Sequence, residues 1–237
     1  MIQKIQLENI LFLDIETVPE EKVFKNLTEE KQKLWDDKSK YQRKEDFTAE
    51  EYYDRAGIWA EFGKIACISV GFFKNKEDSR TFRLTTFKGG EAKILTDFSN
   101  LLSTHFYKDH HLLCAHNGKE FDFPFIARRM LINGLSLPAK LNLFGKKPWE
   151  VPHLDTLELW KFGDYKHYTS LKLLTNVLGI QTPKDDINGS EVRDVFYEEQ
   201  NINRIAIYCE KDVIAIAQVF LKFRQEKLLE ESEIISV

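Results

Sequence analysis

Asp14 and Glu16 stand two apart in the run Ile10-Leu11-Phe12-Leu13-Asp14-Ile15-Glu16-Thr17-Val18. In an extended strand, residues so spaced leave from the same face. Side-by-side carboxylates repel unless a proton or a cation lies between them. The apolar run ahead of them places the pair at the end of a buried strand, where charge must be compensated. Asp122 follows the Asn117-Gly118 turn signal and precedes Phe123-Pro124; taken alone, it reads first as a helix N-cap. Tyr208 and Asp212 are four apart, so they stack on one helical face, which continues through the apolar Ala215 and Val219. Pairing of Asp212 with a buried arginine and plain packing of the Tyr208 ring are the structural alternatives. Four carboxylates converging at the end of a central strand form an all-oxygen ligand set, which suits two divalent cations, Mg²⁺ or Mn²⁺. No His/Cys cluster has the spacing of a zinc site. Two such cations held by carboxylates can activate water and cleave a phosphodiester.

The elements that must position these residues follow from pattern. Residues 10–18, closed by Pro19, read as a central strand covered on both faces. Residues 20–56 are dense in Lys, Glu and Asp, carry the capping-box pattern Thr48-Ala49-Glu50-Glu51, and read as a helical insertion. That insertion either covers a substrate cleft or forms a solvated helix pair. Residues 64–73 and 81–87 read as strands joined by a hairpin turn at 74–80. Residues 91–106 form an amphipathic helix, 111–115 a short strand, and 121–135 a helix with Pro124 in its first turn. A loop rich in Gly, Lys and Pro spans 136–152. The segment 154–157, a helix near 169–178, a polar loop at 181–190 and a long helix over 202–230 follow. The order implies a single α/β domain over 1–237 with a mixed sheet.

Composition narrows the function. The chain has 237 residues and a net charge of −4, so it has no global basic field for coating nucleic acid; bound metal can supply local positive charge. The 18 Phe, 8 Tyr and 4 Trp exclude global disorder. Cys67, Cys114 and Cys209 lie far apart and read as reduced buried thiols of a cytoplasmic protein. The first residues have no signal-peptide pattern, and no run is long enough to span a membrane. Other motifs fail. Asp186-Ile187-Asn188-Gly189 echoes a calcium loop, but the full spacing would put Lys184 first and Val195 last. There is no Gly-rich P-loop. Trp59, Phe62 and Tyr168 could stack bases or belong to a core; His116 and His167 read as loop residues, and Cys209 as a packed thiol.

Three motifs carry a resemblance. Phe12-Leu13-Asp14-Ile15-Glu16-Thr17, then His116-Asn117-Gly118-Lys119-Glu120-Phe121-Asp122-Phe123-Pro124-Phe125, then Tyr208-Cys209-Glu210-Lys211-Asp212 occur in that order. Together they resemble the DEDD, DnaQ-like 3′–5′ exonucleases of the ribonuclease H-like superfamily, in particular the proofreading exonuclease of family B DNA polymerases. Leu154-Asp155-Thr156-Leu157 is similar to an Asp-Thr segment common between the second and third motifs. The histidine branch of the family would need His where Ile207 stands, so the resemblance is to the tyrosine branch (DEDDy).

The resemblance implies a ribonuclease H-like mixed sheet flanked by helices, with the insertion after the first strand. It implies Asp14, Glu16, Asp122 and Asp212 as ligands of two divalent cations, with Tyr208 orienting the attacking water. Thr17, Asn117 and Phe121, inside the first two motifs, are the substrate-binding candidates; read by themselves, Asn117 is a turn former and Phe121 and Phe125 are core. The implied reaction removes nucleoside 5′-monophosphates from the 3′ end of single-stranded nucleic acid, DNA ahead of RNA. No polymerase motif accompanies these residues, and no protein partner is named by them. The rival reading is a ribonuclease H-like module that binds nucleic acid or a partner and has lost the chemistry; loss of any one carboxylate would favour it, and all four are present.

Overall fold

A computed structural model describes residues 2–43, 47–76, 79–164, 166–181 and 186–237. Parts of three expected segments lie outside the described residues: 44–46 of the insertion, 77–78 of the hairpin turn, and 182–185 of the polar loop, Lys184 among them. The elements in chain order are β1 (Ile10–Pro19), α1 (Glu29–Ser39), β2 (Gly63–Lys76), β3 (Ser79–Lys88), α2 (Glu91–Thr104), β4 (Leu112–Ala115), α3 (Asp122–Ile132), β5 (Leu154–Asp155), α4 (Thr156–Lys161), α5 (Leu171–Val177), α6 (Val192–Tyr197), α7 (Ile202–Phe223) and β6 (Ile234–Ser236). The sheet order is β5-β4-β1-β2-β3-β6. β1 to β3 form an antiparallel meander, and β4, β5 and β6 join in parallel pairs. This is the expected mixed α/β sheet.

β1 is buried on both faces because helices cover both, which is why its sequence is nearly continuous in apolar residues. Leu11, Leu13 and Ile15 face a core shared with α2 and α3. Ile10 and Phe12 face α7, against Val213, Ile216 and Phe220. Asp14 and Glu16 continue that second face by alternation. A register shift between Glu16 and Thr17, opposite Ala66 of β2, bends the ladder where the acids end. The ring of Phe82 and α7 both crowd β2 at Gly71, where a Cβ would clash with Phe82 Cζ and lie 3.0 Å from Val213 Cγ1; any side chain there would displace the Phe82 ring and press on α7.

A buried ion pair fixes α3. The Arg129 guanidinium donates to Glu91 of α2 at 2.8 and 2.6 Å and to the Ala60 carbonyl at 2.8 Å. Glu91 also accepts from the Ile65 amide of β2 at 2.8 Å. Desolvated charge is tolerated here because every lobe of the pair is hydrogen-bonded.

The insertion is helical in part. α1 is capped by Thr28, whose hydroxyl accepts from the Lys31 amide at 3.3 Å, and Phe24–Asn26 and Tyr53–Ile58 are 3₁₀ turns. The expected capping box forms, with Thr48 and Glu51 each accepting from the other's amide, but it closes a turn and no α-helix follows. Trp35 is fully buried at the centre of this segment. Its ring meets Tyr52, Tyr53, Trp59 and Phe62 with centroids 5.2–6.1 Å apart, and its Nε1 donates to the Ala49 carbonyl at 2.7 Å. Trp59 and Phe62 are therefore part of this core, not base platforms.

The last helix is shorter than expected. α7 ends at Phe223, and Gln225 takes a left-handed conformation, φ 59°. The chain then folds back: Gln218 exchanges two hydrogen bonds with the Leu229 backbone, at 2.9 and 2.8 Å, and the Arg80 guanidinium donates to the carbonyls of Lys227 and Leu228. Residues 234–236 pair with β3 as an edge strand that the pattern did not suggest, and α6 likewise was not expected. The 121–135 helix starts one residue later and stops at Ile132, before Gly134 at φ 70°.

Candidate active site

β1 presents Asp14 half-buried and Glu16 buried toward α7. α7 presents Tyr208, Cys209 and Asp212 on the turns that lie across them. One ligand atom each from Asp14, Glu16 and Cys209 lie within 4.8 Å of one another. The Cys209 thiol donates to Asp14, with sulfur 3.3 Å from its backbone oxygen and 3.4 Å from Oδ2. Cys209 is the packed thiol expected, and it also fastens the strand acid to the helix, a contact the sequence pattern did not signal.

Asp122 opens α3 and is 3% exposed. Its Oδ1 is buried without a hydrogen-bond partner. It is not the N-cap; Phe121 holds that position. Burial, opposed in part by backbone hydrogen bonds and reinforced by the charges of Asp155 and Asp212, pushes its carboxyl up to about 8. Burial, followed by the charges of Asp212, Asp122 and Glu16, holds the Asp14 carboxyl well above the usual carboxylate range. Glu16 is raised in the same direction by burial, then by the Cys67 thiol, Asp212 and Asp122. Three acids held toward the protonated form by burial, with further carboxylates beside them, form a site that a cation would relieve. The orphaned Asp122 oxygen and the oxygen-rich donor set fit a hard divalent ion, with the Cys209 sulfur a softer neighbour.

Asp155 is what holds the turn bearing Asp122. Its buried carboxylate accepts from the amides of Asn117 at 3.0 Å and Lys119 at 3.1 Å, and from Leu157 at 2.9 Å and Glu158 at 3.2 Å. It thus caps α4 and clamps the turn after β4 in one contact set. Gly118 is required in that turn: a Cβ there would lie 2.4 Å from Ala115 Cβ. Asn117 takes the left-handed conformation, φ 63°, that asparagine tolerates. His116 Nε2 donates to the Thr169 carbonyl and its Nδ1 meets the Thr156 hydroxyl, both at 2.9 Å. It is a half-buried brace between the turn and the 167–170 segment; burial lowers its pKa.

A cleft of about 390 Å³ opens over these acids. Of the expected residues, Asp14, Tyr208 and Asp212 line it, while Glu16 and Asp122 lie buried behind. Thr17, Asn117 and Phe121 do not line it; Thr17 alternates to the other face of β1, and Phe121 packs against Phe125 at 5.4 Å. Ser170 and Lys172, which the sequence did not single out, also line it, as do Lys211 of the third motif and Asp186 of the rejected calcium-loop echo, the last paired with Arg204. Tyr168, 66% exposed, stands in the wall with its ring 6.5 Å from His116. Ile207, the residue before Tyr208, is exposed. No described residue of the insertion lines the cleft.

The fold with its acid pair on the central strand is the ribonuclease H-like fold. A family described as predicted 3′–5′ exonuclease related to the exonuclease domain of PolB matches residues 58–233, and the chain belongs to it. That match takes in the second and third motifs and begins after β1. Among solved structures, the family B DNA polymerase of the hyperthermophilic archaeon Pyrobaculum calidifontis superposes with a TM-score of 0.52 at 12% identity. The superposition covers 90% of this chain and 24% of that one, so the chain spans about a quarter of the polymerase's length. No curated protein matches.

Proposed function

We propose that the chain hydrolyses the 3′-terminal phosphodiester of single-stranded nucleic acid, DNA ahead of RNA, and releases nucleoside 5′-monophosphates with the help of two divalent cations, Mg²⁺ or Mn²⁺. The observation that carries this reading is geometric: Asp14 and Glu16 on β1, the buried Asp122 with an unpartnered Oδ1 at the start of α3, and Asp212 on α7 gather at one cleft, and burial first and neighbouring acids second hold Asp14, Glu16 and Asp122 above the usual carboxylate range. Such an arrangement costs stability unless positive charge occupies it. Asp14, Glu16, Asp122 and Asp212 would hold the cations. Their chemistry, when bound, is to make water a nucleophile near neutral pH and to neutralise charge developing on the phosphoryl and leaving oxygens.

The chain's own residues do the rest. Asp122 is delivered by a turn clamped on Asp155 and by a helix locked through Arg129 and Glu91, so its carboxylate is fixed before substrate arrives. Tyr208 lines the cleft one helical turn before Asp212. A phenol ionises near about pH 10, too high for an efficient base at neutral pH, so its hydroxyl orients the attacking water by hydrogen bonding. Lys172 and Lys211 place ammonium groups in the cleft wall where an anionic strand would lie. Tyr168 offers an exposed ring to an unpaired terminal base.

Incubation with 5′-end-labelled DNA and RNA strands, single and double, with Mg²⁺ or Mn²⁺ tests this reading. Stepwise shortening from the 3′ end, abolished by EDTA, is expected. Release of the label as a mononucleotide at the earliest times would reverse the direction, and full hydrolysis in excess chelator would end the metal mechanism.

A further inference from the structure

A second cavity, of about 360 Å³, opens on the far side of the turn that carries Asp122. It lies between the outer face of α3 and the 137–151 segment, and its floor is apolar, with Phe123, Leu131 and Leu141. Three cations line it, Lys119, Arg128 and Lys146, and no carboxylate does. Lys119 is paired with Glu158 at 2.6 Å. Arg128 and Lys146 are exposed and have no ion pair among the described residues. This is a local excess of positive charge in a chain whose net charge is −4.

Two large aromatic rings accompany it. Phe144 lines the opening and is 72% exposed; Trp149, beside the lining residue Pro148, is 75% exposed. The Lys147 ammonium lies 5.3 Å from the Trp149 ring centroid. Ring faces open to solvent and interleaved with cations match the two needs of a single strand, stacking for bases and positive charge for phosphates. An acidic peptide would use the cations but would leave the rings without a planar partner.

Position ties this groove to the cleft. The one turn supplies His116 to the cleft wall and Lys119, Phe123 and Pro124 to the groove wall, with Asp122 between them. We propose that the groove is a second nucleic-acid site: it holds unpaired nucleotides upstream of the 3′ end, with Phe144 and Trp149 stacking on bases and Arg128, Lys146 and Lys147 on phosphates. The strand direction in this assignment rests on the hydrolytic reading of the cleft; the ligand class rests on the groove alone.

The test uses the full chain in EDTA with fluorescent oligothymidylates of about four and about twenty nucleotides, lengths chosen to bracket the site sizes common for single-strand grooves. The longer strand should bind more tightly. Combined Arg128→Gln, Lys146→Gln and Lys147→Gln should weaken it by roughly 30-fold at low salt and lower the log-log salt slope by about 2, the loss for three phosphate contacts on a single strand. Combined Phe144→Ala and Trp149→Ala should weaken it about tenfold or more with the salt slope unchanged. Neither set should alter Mg²⁺-supported hydrolysis of the four-nucleotide strand, since none of these residues lines the cleft. Unchanged affinity for the longer strand in both sets would overturn the proposal, as would binding of poly-glutamate with no binding of the oligonucleotide. Loss of short-strand hydrolysis would overturn it too, since the residues would then serve the cleft. Because binding is read without metal, length-dependent binding by a chain that hydrolyses nothing would keep the groove and remove only the catalytic reading.

Discussion

The two cavities flanking the Asp122 turn are opposites. The cleft is walled by carboxylates from β1, α7 and the 186–191 loop and holds its acids against their own charge. The groove has no carboxylate in its lining, keeps unpaired cations and rests on an apolar floor. Neither has the charge balance of an inert surface. The cleft is short of positive charge and the groove of negative charge, and a phosphodiester strand with divalent cations would supply both. The comparison teaches that the overall charge of −4 conceals two complementary deficits a single turn apart.

The comparison breaks most sharply at the acids. Asp14→Ala should lower the single-turnover rate by about 10³-fold or more while the protein stays folded, since on the proposed reading it would remove a ligand for the charge-neutralising cations. Its metal-free melting temperature should stay level or rise, because a repelling charge is gone; a near-native rate would show that the cleft does not act through this carboxylate. Tyr208→Phe should slow the same step by roughly 10- to 1,000-fold with metal binding intact. An unchanged rate would reduce Tyr208 to packing.

Stability effects are smaller and run in opposite directions on the two sides. Asp155→Asn halves the acceptors offered to four amides and should cost about 2 kcal/mol in chemical denaturation; a silent substitution would mean the clamp does not hold the turn. For pH, Asp122 in the metal-free protein has a folded-state pKa raised from 3.8 to about 8. The folded state binds the proton more tightly, so its contribution is present below 3.8 and is lost as pH rises through about 8. His153 lies near the groove cations Lys119 and Lys146. Burial first, opposed by the hydrogen bond to the Lys140 carbonyl and reinforced by the charges of Lys140, Lys119 and Lys146, lowers its pKa from 6.5 to about 4. Its unprotonated Nδ1 accepts from the Leu113 amide at 3.3 Å and its Nε2 donates to the Lys140 carbonyl at 2.7 Å. The folded state binds this proton less tightly, so stability is full above 6.5 and falls as pH drops toward 4. His153→Gln, which can still accept and donate, should flatten that acid-side slope in melting curves; an unaltered slope would place the titration elsewhere.

Much of the cleft was legible because its chemistry rides on regular elements. Asp14 and Glu16 share a face by strand alternation, and Tyr208 and Asp212 by helical spacing, so two-residue and four-residue intervals were enough to orient them. Cys209 and Asp155 were not legible as contacts, because both act on partners distant in sequence: a strand acid 195 residues away for Cys209, and amides 36 and 38 residues away for Asp155. The groove was hidden for a similar reason. Its 137–151 wall reads only as a loop until α3 lies against it. The end of α7 carries no Gly or Pro to mark it; the stop comes from Gln218 and Arg80 binding the returning chain. Residues 234–236 are too short a run to read as a strand without β3 to receive them.

The aromatic box around Trp35 has a dynamic consequence. Its buried members, Leu27, Trp35, Tyr53, Ala56 and Phe62, form a cluster of their own, separate from those on either face of the sheet. It is seated on β1 where Gly57 meets Val18 so closely that a Cβ would lie 3.0 Å from the Val18 backbone carbon. A unit with its own core can open without the sheet unfolding, as a cooperative foldon. Amides of α1 should therefore exchange with solvent deuterium together, at a lower free energy than those of β1 and β2, and Gly57→Ala should accelerate α1 exchange while leaving the central strands protected.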